Sequence, residues 1–185
     1  NLSDFGYKAS DVGFSLGTEF EQYKNLFFSP SFDISLEDLE TNSNASSALK
    51  KQEGNYTDLY FDYGLNYDLR NSRYKTTSGN NTSFYQELPI ISDSKELSNT
   101  LIFTQYKKLS KTSDMVGKAN LYLKAIKSID SDNDVRISKR ANVPYNLLRG
   151  FEKGKIGPVD NNDYIGGNYV SSFNLSTNLP FVLPT

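Results

Sequence analysis

Along much of the chain apolar and polar residues alternate one by one. The pattern is clearest where Leu59, Phe61, Tyr63, Leu65, Tyr67 and Leu69 are separated by Tyr60, Asp62, Gly64, Asn66 and Asp68. A period of two is the mark of an extended strand with one apolar and one polar face. It recurs at Val12, Phe14, Leu16 and Phe20, and at Phe28, Phe32, Ile34 and Leu36 with Ser29, Ser31, Asp33 and Ser35 between them. Later it runs through Met115, Ala119, Leu121, Leu123 and Ala125, then through Tyr169, Phe173, Leu175 and Leu179 set against Ser172, Asn174, Ser176 and Asn178. Two less regular strands are expected around Phe84 to Ile91 and Leu97 to Leu109, where Gln86 and Gln105 interrupt the apolar side. About seven strands result. Helical signals are confined to Ser35 to Leu39 and Ala45 to Glu53, each enough for a short helical turn.

Stretches such as 57 to 70 and 115 to 128 exceed the roughly 5 to 6 residues of an ordinary strand. They reach the roughly 9 to 11 that a tilted strand needs to cross a bilayer. Connections are tight at 21 to 26, 71 to 79 and 110 to 114 but long at 39 to 56 and about 129 to 163, as in barrels with short periplasmic turns and longer extracellular loops. The short 92 to 96 connection departs from that alternation. The expected fold class is therefore all-β, an antiparallel transmembrane β-barrel. Bacterial barrels close with an even number of strands, at least about eight, because an open edge in hydrocarbon leaves backbone groups unpaired. About seven strands, a start at Asn1 without Met or signal peptide, and an abrupt end after Pro180 together lead to the expectation that residues 1–185 are an incomplete barrel domain.

Composition agrees. At 185 residues, 37% hydrophobic content would give a soluble domain a thin core, whereas 13 Tyr and 12 Phe suit a lipid face with interfacial girdles. No apolar run approaches the roughly 18 to 20 residues of a membrane-spanning helix. Without Cys there is no disulfide framework and no zinc-thiolate site. A net charge of -2 gives no reason to expect nucleic acid as a partner. Enzymatic chemistry is not expected: His and Cys are absent, as are a Gly-x-Ser-x-Gly elbow and a phosphate-cradling loop, and no spacing singles out a carboxylate pair such as Glu19 and Glu21. No cofactor is expected. Asp130, Asp132 and Asp134 begin like a calcium loop, but Val135 stands where Gly is required and Ala141 where the bidentate Glu belongs, so a solvated acidic loop and no metal are expected. Asn-x-Ser/Thr triplets at Asn44, Asn55, Asn81 and Asn174 arise readily in an Asn- and Ser-rich chain.

Three short elements carry a more specific signal: Leu148-Arg149-Gly150-Phe151, then Ile156-Gly157-Pro158, then Ile165-Gly166-Gly167-Asn168. Arg-Gly-Phe alone reads as a turn with a surface arginine. With the flanking elements and the strand order, the chain resembles the BamA family of outer-membrane barrel assembly factors, in the bacterial surface antigen superfamily. The resemblance implies that Arg149, Gly150 and Phe151 mark the tip of the long sixth extracellular loop, folded back into the lumen. Arg149 would pair there with acidic groups on late strands, while Gly150 allows the tight turn and Phe151 anchors the tip. One acidic position falls at Asn174, which accepts a hydrogen bond but cannot complete an ion pair.

By the same correspondence residues 11 to 179 hold about the sixth to twelfth of sixteen strands. The periplasmic POTRA domains and the first and last strands lie outside the chain. The implied function is insertion and folding of nascent outer-membrane proteins by bilayer thinning and by a seam whose open edge pairs with a client strand. Implied partners are the outer-membrane lipid bilayer, nascent outer-membrane proteins and, through the missing POTRA domains, the lipoproteins of the assembly machinery. The implied location is the bacterial outer membrane. Alternatives are a related two-partner secretion or TamA-like transporter pore, a soluble cell-surface β-sandwich adhesion module, and an outer-membrane lipase barrel.

Overall fold

The computed structural model of the chain describes residues 5–130, 133–148 and 150–178. Its elements are β1 (Tyr7–Gly17), β2 (Phe20–Tyr23), β3 (Leu26–Thr41), a one-turn helix α1 (Ser47–Lys50), β4 (Gly54–Asp68), β5 (Gly79–Ser92), β6 (Glu96–Lys108) and β7 (Val116–Ser128). A 3₁₀ turn at Ile137–Lys139, the two-residue strands β8 (Val159–Asp160) and β9 (Asp163–Tyr164), and β10 (Tyr169–Thr177) follow. The large sheet runs β1-β3-β4-β5-β6-β7-β10 with β2 paired to β3 beside β1, and every pairing in it is antiparallel. Among the described residues seven long strands thus form one meander, in agreement with the alternation.

Several boundaries differ from the sequence reading. Ser35 to Leu39, whose Leu36 and Leu39 suggest a helical turn, continue β3 because Ser35 pairs with Asp58 and Leu39 with Gly54; tertiary pairing overrides a local helical spacing. The 45 to 53 stretch does turn once as α1, capped by the Ser46 hydroxyl, which accepts from the Leu49 N–H. β5 begins at Gly79 instead of Phe84, its polar start recruited by pairing to Tyr106 through Ile102. Residues 20–23 are the extra strand β2, and the long loop runs to residue 168 instead of 163. Pro30 lies opposite the gap between β1 and β2, where Thr18 donates to its carbonyl at 3.1 Å, so its missing N–H costs no ladder bond.

The two faces have opposite chemistry. One carries Val12, Phe14, Leu16, Phe32, Ile34, Phe173 and Leu175, all exposed; Val12 and Leu175 reach 77% and 74%. Registered pairs such as Phe14 with Ile34, Phe32 with Phe61, and Leu121 with Phe173 keep this face continuous. Tyr63 packs against Phe28, Phe61 and Phe84 with ring centroids 6.1–6.2 Å apart. The glutamines that interrupt it are satisfied within the protein: Tyr63 Oη donates to Gln86 Oε1 at 2.9 Å, and Gln105 Nε2 donates to the Gly79 carbonyl at 3.0 Å. The opposite face carries Asp33, Asp58, Tyr60, Asp62, Ser98, Thr104 and Asn120, and the fully buried residues lie there. A soluble domain buries its apolar face and wets its polar one; this sheet does the reverse, as a wall between lipid and a polar lumen does.

Candidate functional site: a charged latch beneath the long loop

The loop between β7 and β10 lies across the polar face at the end where β3, β5 and β7 finish. Its entry segment, Val135-Arg136-Ile137, is buried: Val135 is 1%, Arg136 1% and Ile137 2% exposed. Ile137 packs with Leu39, Ala45 and Leu49, while Val135 packs with Ile126 and Ala141. Among the described residues these two clusters hold the buried aliphatic side chains, and they surround an arginine that is almost entirely shielded from water.

Arg136 finds its counter-charges on the wall. Nη2 donates to Asp58 Oδ2 of β4, and Nη1 lies 3.7 Å from Glu37 Oε2 of β3. Its backbone N–H donates to Glu96 Oε1 of β6 at 3.1 Å, and its guanidinium stacks 4.2 Å from the Tyr56 ring centroid. Lys139 adds a second cation 3.6 Å from Asp58. Asp58 and Glu96 have further donors, since Ser92 Oγ bonds Asp58 Oδ1 at 2.7 Å, Tyr60 Oη bonds Glu96 Oε2 at 3.0 Å, and Ser94 Oγ bonds Glu96 Oε1, whereas Glu37 Oε1 is buried without a hydrogen-bond donor among the described residues. Burial alone lowers the pKa of Arg136, but the Asp58 hydrogen bond and the charges of Asp58, Glu37 and Glu96 hold it above the ordinary arginine value. The Ile137 N–H donates to Gln52 Oε1 at 2.7 Å, tying the latch to the α1 loop as well.

A second clamp closes the loop's root. Ala141 and Gly167 exchange backbone hydrogen bonds of 2.8 and 2.9 Å, the only isolated bridge among the described residues. Arg140 Nη2 donates to Asp134 Oδ2 at 2.6 Å, and Asn168 Nδ2 donates to Asp134 Oδ1 at 3.3 Å. Burial tends to raise the Asp134 pKa, but the Val135 N–H, Asn168 and Arg140 hold it below the ordinary carboxylate range. Asn168 also accepts the Ile126 N–H on its carbonyl at 2.8 Å, continuing the β7 ladder.

Below the latch is a polar cavity of about 300 Å³, where Asp33, Asp62, Glu87 and Glu96 face Lys124, Lys139 and Arg140. Among the described residues no cluster of three or more His, Cys, Asp or Glu has the arrangement of a metal site.

The residues singled out by sequence are distributed as follows. Arg149 lies outside the described residues, as does Asp132 of the acidic run. Gly150 has φ +88°, in the left-handed region that favours glycine, and Phe151 is 63% exposed. Gly157 has φ +130°, and the Pro158 carbonyl accepts from the Ile165 N–H at 3.1 Å, closing the β8–β9 hairpin that follows Ile156. Gly166 has φ +66°, and a Cβ there would stand 3.1 Å from the Ala141 carbonyl oxygen. Thus Gly166, Gly167 and Asn168 meet Ala141 and Asp134 at the loop root. Asn174 stands half-buried on the polar face of β10, opposite Asn120, and donates to Ser172 Oγ at 2.9 Å. Arg136 with Glu37, Asp58 and Glu96 was not singled out; its one signal is a lone arginine between two β-branched apolar residues, opposite carboxylates on polar strand faces.

The profile of the Omp85 superfamily domain matches residues 2–184. No curated protein matches. Among solved structures the chain is similar to BamA from Haemophilus ducreyi lacking POTRA domains 1–3, with a TM-score of 0.81 and 21% identity over 96% of this chain. The match spans 39% of that BamA chain. At this identity the likeness establishes the fold: an all-β antiparallel sheet of the BamA barrel type, open between β1 and β10 among the described residues.

Proposed function

The chain belongs to the Omp85 superfamily, and from that premise we propose that it is the middle wall of a BamA-type outer-membrane barrel whose whole protein inserts and folds nascent outer-membrane proteins. The observation that carries this reading is the pairing of a bare apolar outer face with a polar inner face roofed by a loop that Arg136 latches to three strands. In this reading the loop is extracellular, the lumen is sealed at that end, and POTRA domains and the remaining strands belong to other parts of the protein.

An unpaired backbone group in hydrocarbon costs several kcal/mol, so a client strand needs an edge to pair with on its way into the bilayer. In this reading that edge belongs to the seam between the first and last strands of the whole barrel, not to this middle wall. Its contribution is rigidity: the latch joins β3, β4 and β6 through one loop, so that opening elsewhere in the barrel need not deform the middle. We further propose that the Arg149-Gly150-Phe151 motif serves as the tip of the same loop, with Asn174 as a hydrogen-bonding position on the inner wall. No covalent chemistry is assigned to any residue.

Depletion of the intact protein in its source bacterium, followed by quantification of folded outer-membrane barrels by heat-modifiable gel mobility, tests the reading. Broad loss of folded barrels is expected. Loss confined to one secreted protein overturns it in favour of a two-partner secretion pore.

A further inference from the structure

At the end of the sheet opposite the latch, the 69–78 and 109–115 connections and the end of β10 enclose an open cavity of about 650 Å³. Its charged lining is Arg70, Arg73, Lys75, Lys118 and Asp114. Asp68 neutralises part of it, with Arg70 Nη2 at 2.8 Å and Arg73 Nε at 3.5 Å. Asp114 lies 3.9 Å from Lys108. The group therefore holds five cations against two carboxylates. At the latched end the balance is reversed, since Arg136, Lys124, Lys139 and Arg140 face six carboxylates in the latch and its cavity. The polar face thus carries a charge gradient along its axis, basic at the turn end and acidic beneath the loop.

We propose that the turn-end mouth is a docking site for an acidic polypeptide segment. Lys118 and Tyr106 are registered partners on the polar face, two residues beyond the Thr104–Asn120 pair, and Lys118 Nζ sits 5.8 Å from the Tyr106 ring centroid. The cavity therefore opens on the lumenal side of the wall, away from the apolar face that lipid headgroups would border, which favours a polypeptide over a membrane surface. Tyr74, 99% exposed between Arg73 and Lys75, offers an aromatic surface at the rim. Arg70 and Arg73 are held in place by Asp68, so their remaining donors are preorganised. The acidic far end repels the same segment, so the gradient holds it at the mouth and opposes its passage up the lumen. The proposal rests on the barrel reading for the periplasmic position of this mouth; the charge geometry does not.

Binding is measured with the intact protein in nanodiscs of zwitterionic lipid, using fluorescein-labelled octaglutamate as probe and octalysine as control. Saturable octaglutamate binding that falls steeply with salt is expected, with no binding of octalysine. Lys75→Gln with Lys118→Gln weakens it at least tenfold, and Asp114→Asn tightens it, all three proteins keeping heat-modifiable mobility as a check on folding. Equal binding of both peptides, insensitivity to these substitutions, or displacement by millimolar inorganic phosphate with equal effectiveness overturns the proposal, the last by identifying a small-anion site. Because the assay reads peptide binding and not barrel assembly, its failure is separable from failure of the insertase reading.

Discussion

Arg136 of the long loop and Asp58 of β4 are 78 residues apart in sequence and form a hydrogen-bonded ion pair in which neither side chain is more than 1% exposed. A charge buried to this degree survives only when it is paired and hydrogen-bonded. Removing one partner strands the other, whereas replacing both with apolar or neutral groups of similar size relieves both desolvation costs.

Arg136→Ala is accordingly expected to destabilise the folded barrel by about 3 kcal/mol, the low end for a broken buried pair, because Lys139 remains 3.6 Å from Asp58. The midpoint of the heat-modifiable gel shift of the intact protein reads this. Arg136→Met combined with Asp58→Asn should recover more than half of the loss; a double variant as unstable as the sum of the singles removes the latch from the account.

If the proposed function holds, the Arg149-Gly150-Phe151 motif and the latch have separable roles. Arg149→Ala is expected to lower outer-membrane barrel assembly in cells while leaving the heat-modifiable midpoint within a few degrees of wild type. Arg136→Ala is expected to lower both. A larger loss of stability in Arg149→Ala than in Arg136→Ala, read on the same gel, transfers the structural anchor to the tip.

At the loop root, Gly166→Ala places a Cβ 3.1 Å from the Ala141 carbonyl oxygen at φ +66°. The left-handed backbone alone costs an L-residue about 1–2 kcal/mol. Faster amide exchange at Ala141 and Gly167 is the expected outcome, with the outer wall unaffected.

The Asp134 clamp makes the root sensitive to acid. Its folded pKa is depressed, so its stabilisation is present above its unfolded value of about 4 and is lost as pH falls through the lower folded value. Asp163, in β9, has its pKa raised by burial and by Asp160, so its contribution has the opposite sign, present at low pH and lost as pH rises through the folded value. Protease cleavage of the loop root at pH 3, relative to pH 6, should therefore increase in wild type, and Asp134→Asn should remove that increase. Equal pH responses in the two proteins detach Asp134 from loop closure.

The wall was legible in sequence because a strand with lipid on one side and a polar lumen on the other repeats its chemistry every second residue; Phe61, Tyr63 and Leu65 alternate with Asp62 and Gly64 for that reason. The latch was not, because its members lie far apart in sequence and Arg136 sits in a run rich in Asp, Ser and Lys that reads as a solvated loop. The signal lay in Val135 and Ile137, which flank the arginine with apolar β-branched side chains. Residues 35–39 admitted a short helical turn as well as a strand because local sequence cannot register that β4 stands ready to pair with this segment. Gly166, Gly167 and Asn168 were visible as a motif, but their meeting with Ala141 and Asp134 follows only from the folded loop.

In a barrel wall of this kind the apolar face meets lipid while the polar face does not. Outer membranes of the source cells, loaded with a phospholipid bearing a photoactivatable acyl chain, provide the most direct measurement. After illumination and peptide mass spectrometry, label is expected on Phe61, Leu65, Leu121 and Phe173 and absent from Tyr60, Asn120 and Tyr122. Label spread over both faces, or recovery of the protein in the soluble fraction without label, contradicts the barrel account.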